Sequence, residues 1–155
     1  MTPINWRDYL KGDPIPGLHF HGFLWSGQGG LLESYKQQAN RNPGTPDFMA
    51  SDLPPEGVRH YLLKRNRVAG TFGSAKEAVE WMREQWDTQT PRVTHEDPDN
   101  TQEYHEVVLS HGRETVWSWW HPEPGSSYKV HVAVVPCPFK WQDDPEPMPC
   151  PQPPR

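Results

Sequence analysis

The segment Thr115–Val135, TVWSWWHPEPGSSYKVHVAVV, constrains the fold more than any other part of this chain. Three of the eight tryptophans, Trp117, Trp119 and Trp120, fall within four positions. A Pro/Gly/Ser stretch follows, and then Tyr128, Val130, Val132 and Val134 recur at every second residue. A period of two is the mark of a strand whose faces differ in environment. The segment therefore predicts an antiparallel hairpin with strands over 115–120 and 128–135. Trp117 and Trp119 share one face, and Val116 and Trp120 share the other. An isolated hairpin is marginal in water, so its ring-rich face has to meet other elements.

Those elements are legible upstream. Ser74 and Glu77 have the spacing of a capping box. Ala75, Ala78, Val79, Met82 and Trp86 then form one helical stripe, so a helix is expected over 75–87, with Trp81 off the stripe. Asn100 and Glu103 repeat the capping spacing. Tyr104, Val107, Val108 and His111 follow at helical intervals, and Gly112 suits the position just past a helix end. A second helix is expected over 101–111. Residues 18–25, LHFHGFLW, alternate as a strand. Residues 59–72, RHYLLKRNRVAGTF, read as a hairpin near 60–72 that turns at Arg65–Asn66. The expected class is α+β, a small antiparallel sheet of four or five strands with two helices on one face.

Proline sets the remaining boundaries. Residues 41–58 carry too many prolines for regular structure, and so long a loop is uncommon in a compact domain. From Pro136 onward the chain reads PCPFKWQDDPEPMPCPQPPR. This predicts a polyproline-like tail over 136–155, outside a single domain over 1–135.

Composition narrows the function. Only 34% of residues are hydrophobic and mean hydropathy is −0.90, close to a disordered chain. Aromatics at 12% oppose that tendency, since each buried ring removes about 150–250 Å² from water. A core of Trp, Tyr and Val is the expected result. A net charge of −5 argues against a nucleic-acid partner, which calls for a basic face. The chain has neither the apolar segment of a signal peptide nor an apolar run of about 20 residues, so a cytoplasmic protein with reduced thiols and no membrane partner is expected. Nine arginines against six lysines, two isoleucines and 19 prolines are the bias of a GC-rich coding sequence, such as that of an actinobacterium or one of its phages.

Three groups of residues bear on chemistry. His19 and His21 form an H-x-H pair whose rings point to one side of a strand, and His131 lies on another strand. Two such histidines with a third ligand suit Zn or Fe. A small metal-dependent or histidine acid/base enzyme using His19, His21 and His131 is therefore one expectation. Cys137 and Cys150 each sit in Pro-Cys-Pro. Their C-x12-C spacing matches no common zinc pattern, so they read as two free thiols, with a disulfide clip over the tail as the alternative. The serines lie in no G-x-S-x-G elbow, and Gly27, Gly29 and Gly30 lack the rest of a dinucleotide or phosphate loop.

The tryptophans carry the leading expectation. It is a non-enzymatic protein–protein interaction module without a cofactor, an accessory, inhibitor or virion-associated protein. Trp81, Trp117, Trp119, Trp120 and Trp141 are its candidate contact residues, since exposed rings anchor interfaces and proline-rich peptides.

Overall fold

The computed structural model describes residues 13–89, 102–120, 127–140 and 144–151. Strand β1 (His19–Gln28) leads into two 3-10 turns (Gly29–Leu32, Tyr35–Gln37), then α1 (Gln38–Arg41) and α2 (Pro46–Ala50). Two further 3-10 turns (Val58–Leu63, Arg65–Arg67) precede β2 (Gly70–Phe72) and α3 (Ala75–Gln89). Helix α4 (Gln102–Ser110), β3 (Thr115–Trp120) and β4 (Tyr128–Cys137) complete the order. The class is α+β, with one four-stranded antiparallel sheet in the order β2-β1-β4-β3.

Alternation along the strands divides the side chains between two faces. The first face carries Phe20 on β1, Trp117 and Trp119 on β3, and Val130, Val132 and Val134 on β4. Helix α3 covers it with Ala75, Ala78, Val79, Met82 and Trp86, the stripe read from the sequence. Helix α4 contributes Leu109. The Trp119 and Trp86 rings meet edge-on at 4.9 Å. Trp81 lies off the stripe and finds its own seat. A Cβ on Gly22 would come within 2.6 Å of its ring, so only glycine at that strand position lets the indole approach the strand backbone so closely.

Helix α3 begins as its sequence predicts. The Ser74 hydroxyl accepts from Glu77 N–H at 3.2 Å. The Glu77 carboxylate reaches back to Gly73 N–H at 3.2 Å, one residue earlier than the usual box. Ser74→Ala should cost about 1 kcal/mol in a chemical denaturation series. Just past the end of α4 at Ser110, Gly112 has a φ of +81°, the left-handed geometry of a glycine beyond a helix terminus.

The second face carries His19, His21, Phe23 and Trp25 on β1, with Cys137, Val135, Ala133 and His131 directly opposite on β4. No long helix covers this face among the described residues. Tyr61 and Leu62 close over Phe23, Ala133 and Val135, with Phe139 and Met148 arriving from the C-terminal segment. The stacked rings of Phe23 and Tyr61 lie 4.4 Å apart.

This arrangement corrects two expectations. Residues 60–72 are not a hairpin; 3-10 turns occupy most of them and only Gly70–Phe72 is a strand. Val58, Tyr61 and Leu62 are spaced i, i+3 and i+4, a helical interval, and all three face the sheet. Lys64 is buried in the same layer. Its ammonium donates to Ser51 C=O at 2.7 Å and lies 4.3 Å from the Phe48 ring centre. The second correction concerns the boundary at 135/136. Strand β4 runs on through Pro136 and Cys137, pairing with Phe20 and His19. Pro136 is tolerated because β3 begins opposite Val134, so β4 has lost its second neighbour by that point. Within the proline-rich stretch 41–58 the structure also forms α2, which opens with Pro46 at its first position.

Two of the buried histidines, His105 and His131, make the fold sensitive to acid away from the cysteines. His105 on α4 is wedged between Thr115 and Trp117. Its Nδ1 hydrogen-bonds the Thr115 hydroxyl, and its Nε2 accepts from the Trp117 indole N–H. His131 lies on the opposite face between Trp25 and Ser118. Burial pushes both down to about 4, and for His131 the charges of Arg41 and Lys129 add to the effect. Both are neutral in the native protein, which then binds fewer protons than the unfolded chain. Their contribution is fully present above 6.5, the ordinary histidine value, and is lost as pH falls through about 4. Each is worth at most about 3 kcal/mol. Urea midpoints should therefore fall steeply between those two pH values, and His105→Gln should flatten the fall.

Candidate metal centre

Four side chains from three separate parts of the sequence meet at one end of the second face. Alternation along β1 puts His19 and His21 on the same side of the strand. The antiparallel register places Cys137 directly across from His19. Paired residues of this kind hold their Cβ atoms about 4.5–5.5 Å apart, so the sheet alone brings three of the groups together. Cys150 comes from the C-terminal segment, which turns back over the sheet. Met148 N–H donates to Phe139 C=O at 2.7 Å, and Arg65 Nε donates to Pro151 C=O at 2.8 Å. These two bonds fix the segment on either side of Cys150.

One imidazole nitrogen from each histidine and the two sulfurs all lie within 4.8 Å of one another. His19 Nε2 is 3.3 Å from Cys150 Sγ, and His21 Nε2 is 3.5 Å from the same sulfur. The His19 and His21 rings stand edge-to-face, 4.9 Å apart. Around a tetrahedral zinc with Zn–S near 2.3 Å and Zn–N of about 2.0–2.1 Å, neighbouring ligand atoms are separated by about 3.3–3.8 Å. The observed nitrogen–sulfur distances already match that figure.

The surroundings also suit a cation. His21 Nδ1 hydrogen-bonds the Thr71 hydroxyl at 3.1 Å, from the position paired with it on β2. In the tautomer with the ring proton on Nδ1, the Nε2 lone pair faces Cys150 Sγ, and the Thr71 hydroxyl is the kind of outer contact that orients metal-binding histidines. His21 is fully buried, Cys137 is 2% exposed, and His19 and Cys150 are half-buried. Burial and the charge of His19 bring His21 down to about 4, and burial lowers His19 as well, so both rings are neutral ligands at neutral pH. Burial and the neighbouring Cys150 thiol push the Cys137 thiol up. A bound dication reverses that preference by holding the sulfurs as thiolates. Two thiolates also cancel a 2+ charge, so the loaded centre is neutral and suited to a buried place.

The structure joins two of the three sequence-predicted ligands and separates the third. His131 sits six positions along β4 from Cys137, about 20 Å at strand spacing. Its place in the set is taken by Cys137 and Cys150. The cysteines carry no zinc signal of their own, because their spacing fits no zinc pattern when taken alone. The usable signal was two half-sites, H-x-H on one strand and the Pro-Cys-Pro repeat.

The candidate contact tryptophans scatter as well. Trp117 and Trp119 are buried in the first core, at 8% and 4% exposure, and cannot meet a partner there. Trp81 is half-buried against Phe72 and Gly22. Trp141 lies outside the described residues. Trp120 is 48% exposed, its ring lying against Gly29 with the Lys129 ammonium 4.9 Å from the ring centre.

Comparison with protein-family models, with curated proteins and with solved structures gives no match, so the centre is read from its own chemistry. No helix among the described residues is long and apolar enough to cross a membrane.

Proposed function

We propose that this protein is a small zinc-binding module whose metal centre is structural, and that it acts as a non-enzymatic interaction protein in the cytoplasm. The observation that carries the reading is the four-ligand set His19, His21, Cys137 and Cys150. Two imidazoles and two thiolates favour zinc over harder cations. Four protein ligands fill a tetrahedron and leave no position for a substrate or an activated water, which separates a structural site from a catalytic one. The ion ties the C-terminal segment to the central strands. Trp120, the exposed tryptophan among the described residues, is the ring through which the module would engage another protein.

The rival reading, a metal enzyme built on His19, His21 and His131, is distinguished by the same experiment. Purified protein should carry one zinc per chain. His21→Ala and Cys150→Ser should each lose it, while His131→Ala should retain it. The cobalt-substituted protein should show thiolate charge-transfer bands and a tetrahedral visible spectrum that added azide leaves unchanged. Loss of metal in His131→Ala, or a spectrum altered by azide, would favour an open catalytic site.

A further inference from the structure

We propose that Cys137 and Cys150 form a redox-modification site, in which a hydroperoxide oxidises the two zinc-bound thiolates to a disulfide and thereby releases the ion. This rests on the metal reading above. The two sulfurs belong to one cluster whose ligand atoms lie within 4.8 Å of each other. They are the chain's two cysteines, so each has one intramolecular partner. Cys150 is half-buried, whereas Cys137 is buried, so the hydroperoxide reaches Cys150 first.

That asymmetry orders the chemistry. The Cys150 thiolate attacks one oxygen of the hydroperoxide and breaks the oxygen–oxygen bond. The displaced alkoxide takes a proton and leaves as an alcohol, and Cys150 becomes a sulfenic acid. The Cys137 thiolate attacks that sulfur and forms the sulfur–sulfur bond. The departing hydroxide takes a second proton and becomes water. In sum, two thiolates, one hydroperoxide and two protons give one disulfide, one alcohol and one water. The sulfurs lose two electrons and the peroxide oxygens gain them. A disulfide is no longer an anionic ligand, so His19 and His21 are left with a dication they hold weakly. The disulfide spans the same two residues that the metal spanned. The C-terminal segment therefore stays fastened while the ion is given up.

Zinc-loaded full-length protein treated with hydrogen peroxide, in the presence of a chromophoric zinc chelator, tests this. The expected result is release of one zinc per chain, with an intact mass two hydrogens below that of the reduced apo-protein. Dithiothreitol and added zinc should restore the starting state. Zinc retained under excess peroxide would overturn the proposal, as would zinc lost with oxygen added to the sulfurs and no disulfide formed. The zinc content measured before peroxide separates the two levels of the argument. No zinc at the start defeats the metal reading and the release together, whereas zinc present and retained defeats the release alone.

Discussion

Zinc-loaded protein should unfold at a distinctly higher temperature than the same protein stripped by a chelator. A ligand that binds only the folded state stabilises it by about 4 kcal/mol when its free concentration is a thousand times the dissociation constant. For a chain of this size each kcal/mol is worth about 2–4 °C, so a shift of about 8–16 °C is expected. The sheet preorganises His19, His21 and Cys137, and those three should change little on removal of the ion. Cys150 is held in a different way, by contacts of its segment rather than by the sheet. Without the metal, its segment keeps the Met148 and Pro151 hydrogen bonds and the packing of Met148 against the second core. Calorimetry on loaded and stripped protein measures the shift, and superimposable curves would remove the stabilising role of the ion.

Met82→Ala should cost about 2–5 kcal/mol, the range for truncating a large buried side chain to alanine. Met82 is 0% exposed and belongs to the core that α3 closes against Val130, Val132 and Val134. Its loss leaves a cavity at the junction of helix and sheet. Glu84, two residues on, is exposed, and its replacement by alanine should stay within about 0.5 kcal/mol. Urea denaturation of the two variants measures the contrast. Because Met82 lies on the face opposite the metal centre, the cost should be the same with and without zinc. A Met82→Ala protein as stable as its parent would mean that α3 does not carry the first core.

The two faces of the sheet differed in how far the sequence revealed them. The first face is built from regular elements, and regular elements leave periodic signals. The α3 stripe, the Ser74 cap, the Gly112 terminus and the alternation of β3 and β4 all read correctly, because each depends on residues within a few positions of one another. In α4 the sequence pattern predicts a stripe of Tyr104, Val107, Val108 and His111, whereas the buried positions are His105, Val107, Val108 and Leu109. The difference is the buried polar contact of His105 with Thr115 and Trp117, which brings a histidine into a stripe expected to be apolar.

The second face is covered by 3-10 turns and by the C-terminal segment, whose contacts span most of the chain. Arg65 bonds Pro151 across 86 positions, and His19 meets Cys150 across 131. No local pattern announces such pairings. The abundance of proline after Val135 suggested a separate tail, yet Phe139, Met148 and Pro151 are part of the body of the fold. The metal centre shares this difficulty. H-x-H was visible as a half-site, but its completion depends on the pairing of His19 with Cys137, a tertiary fact that residue spacing does not contain. Burial of Trp117 and Trp119 follows from the same limit: alternation shows which residues share a face, but it does not say what covers that face.

X-ray absorption at the zinc edge of the purified, zinc-loaded protein tests the central claim most directly, because it counts the ligand atoms themselves. The His19, His21, Cys137 and Cys150 set predicts two sulfurs at about 2.3 Å and two imidazole nitrogens at about 2.0–2.1 Å. A shell of nitrogen and oxygen alone, or a sulfur count that Cys150→Ser leaves unchanged, would contradict it.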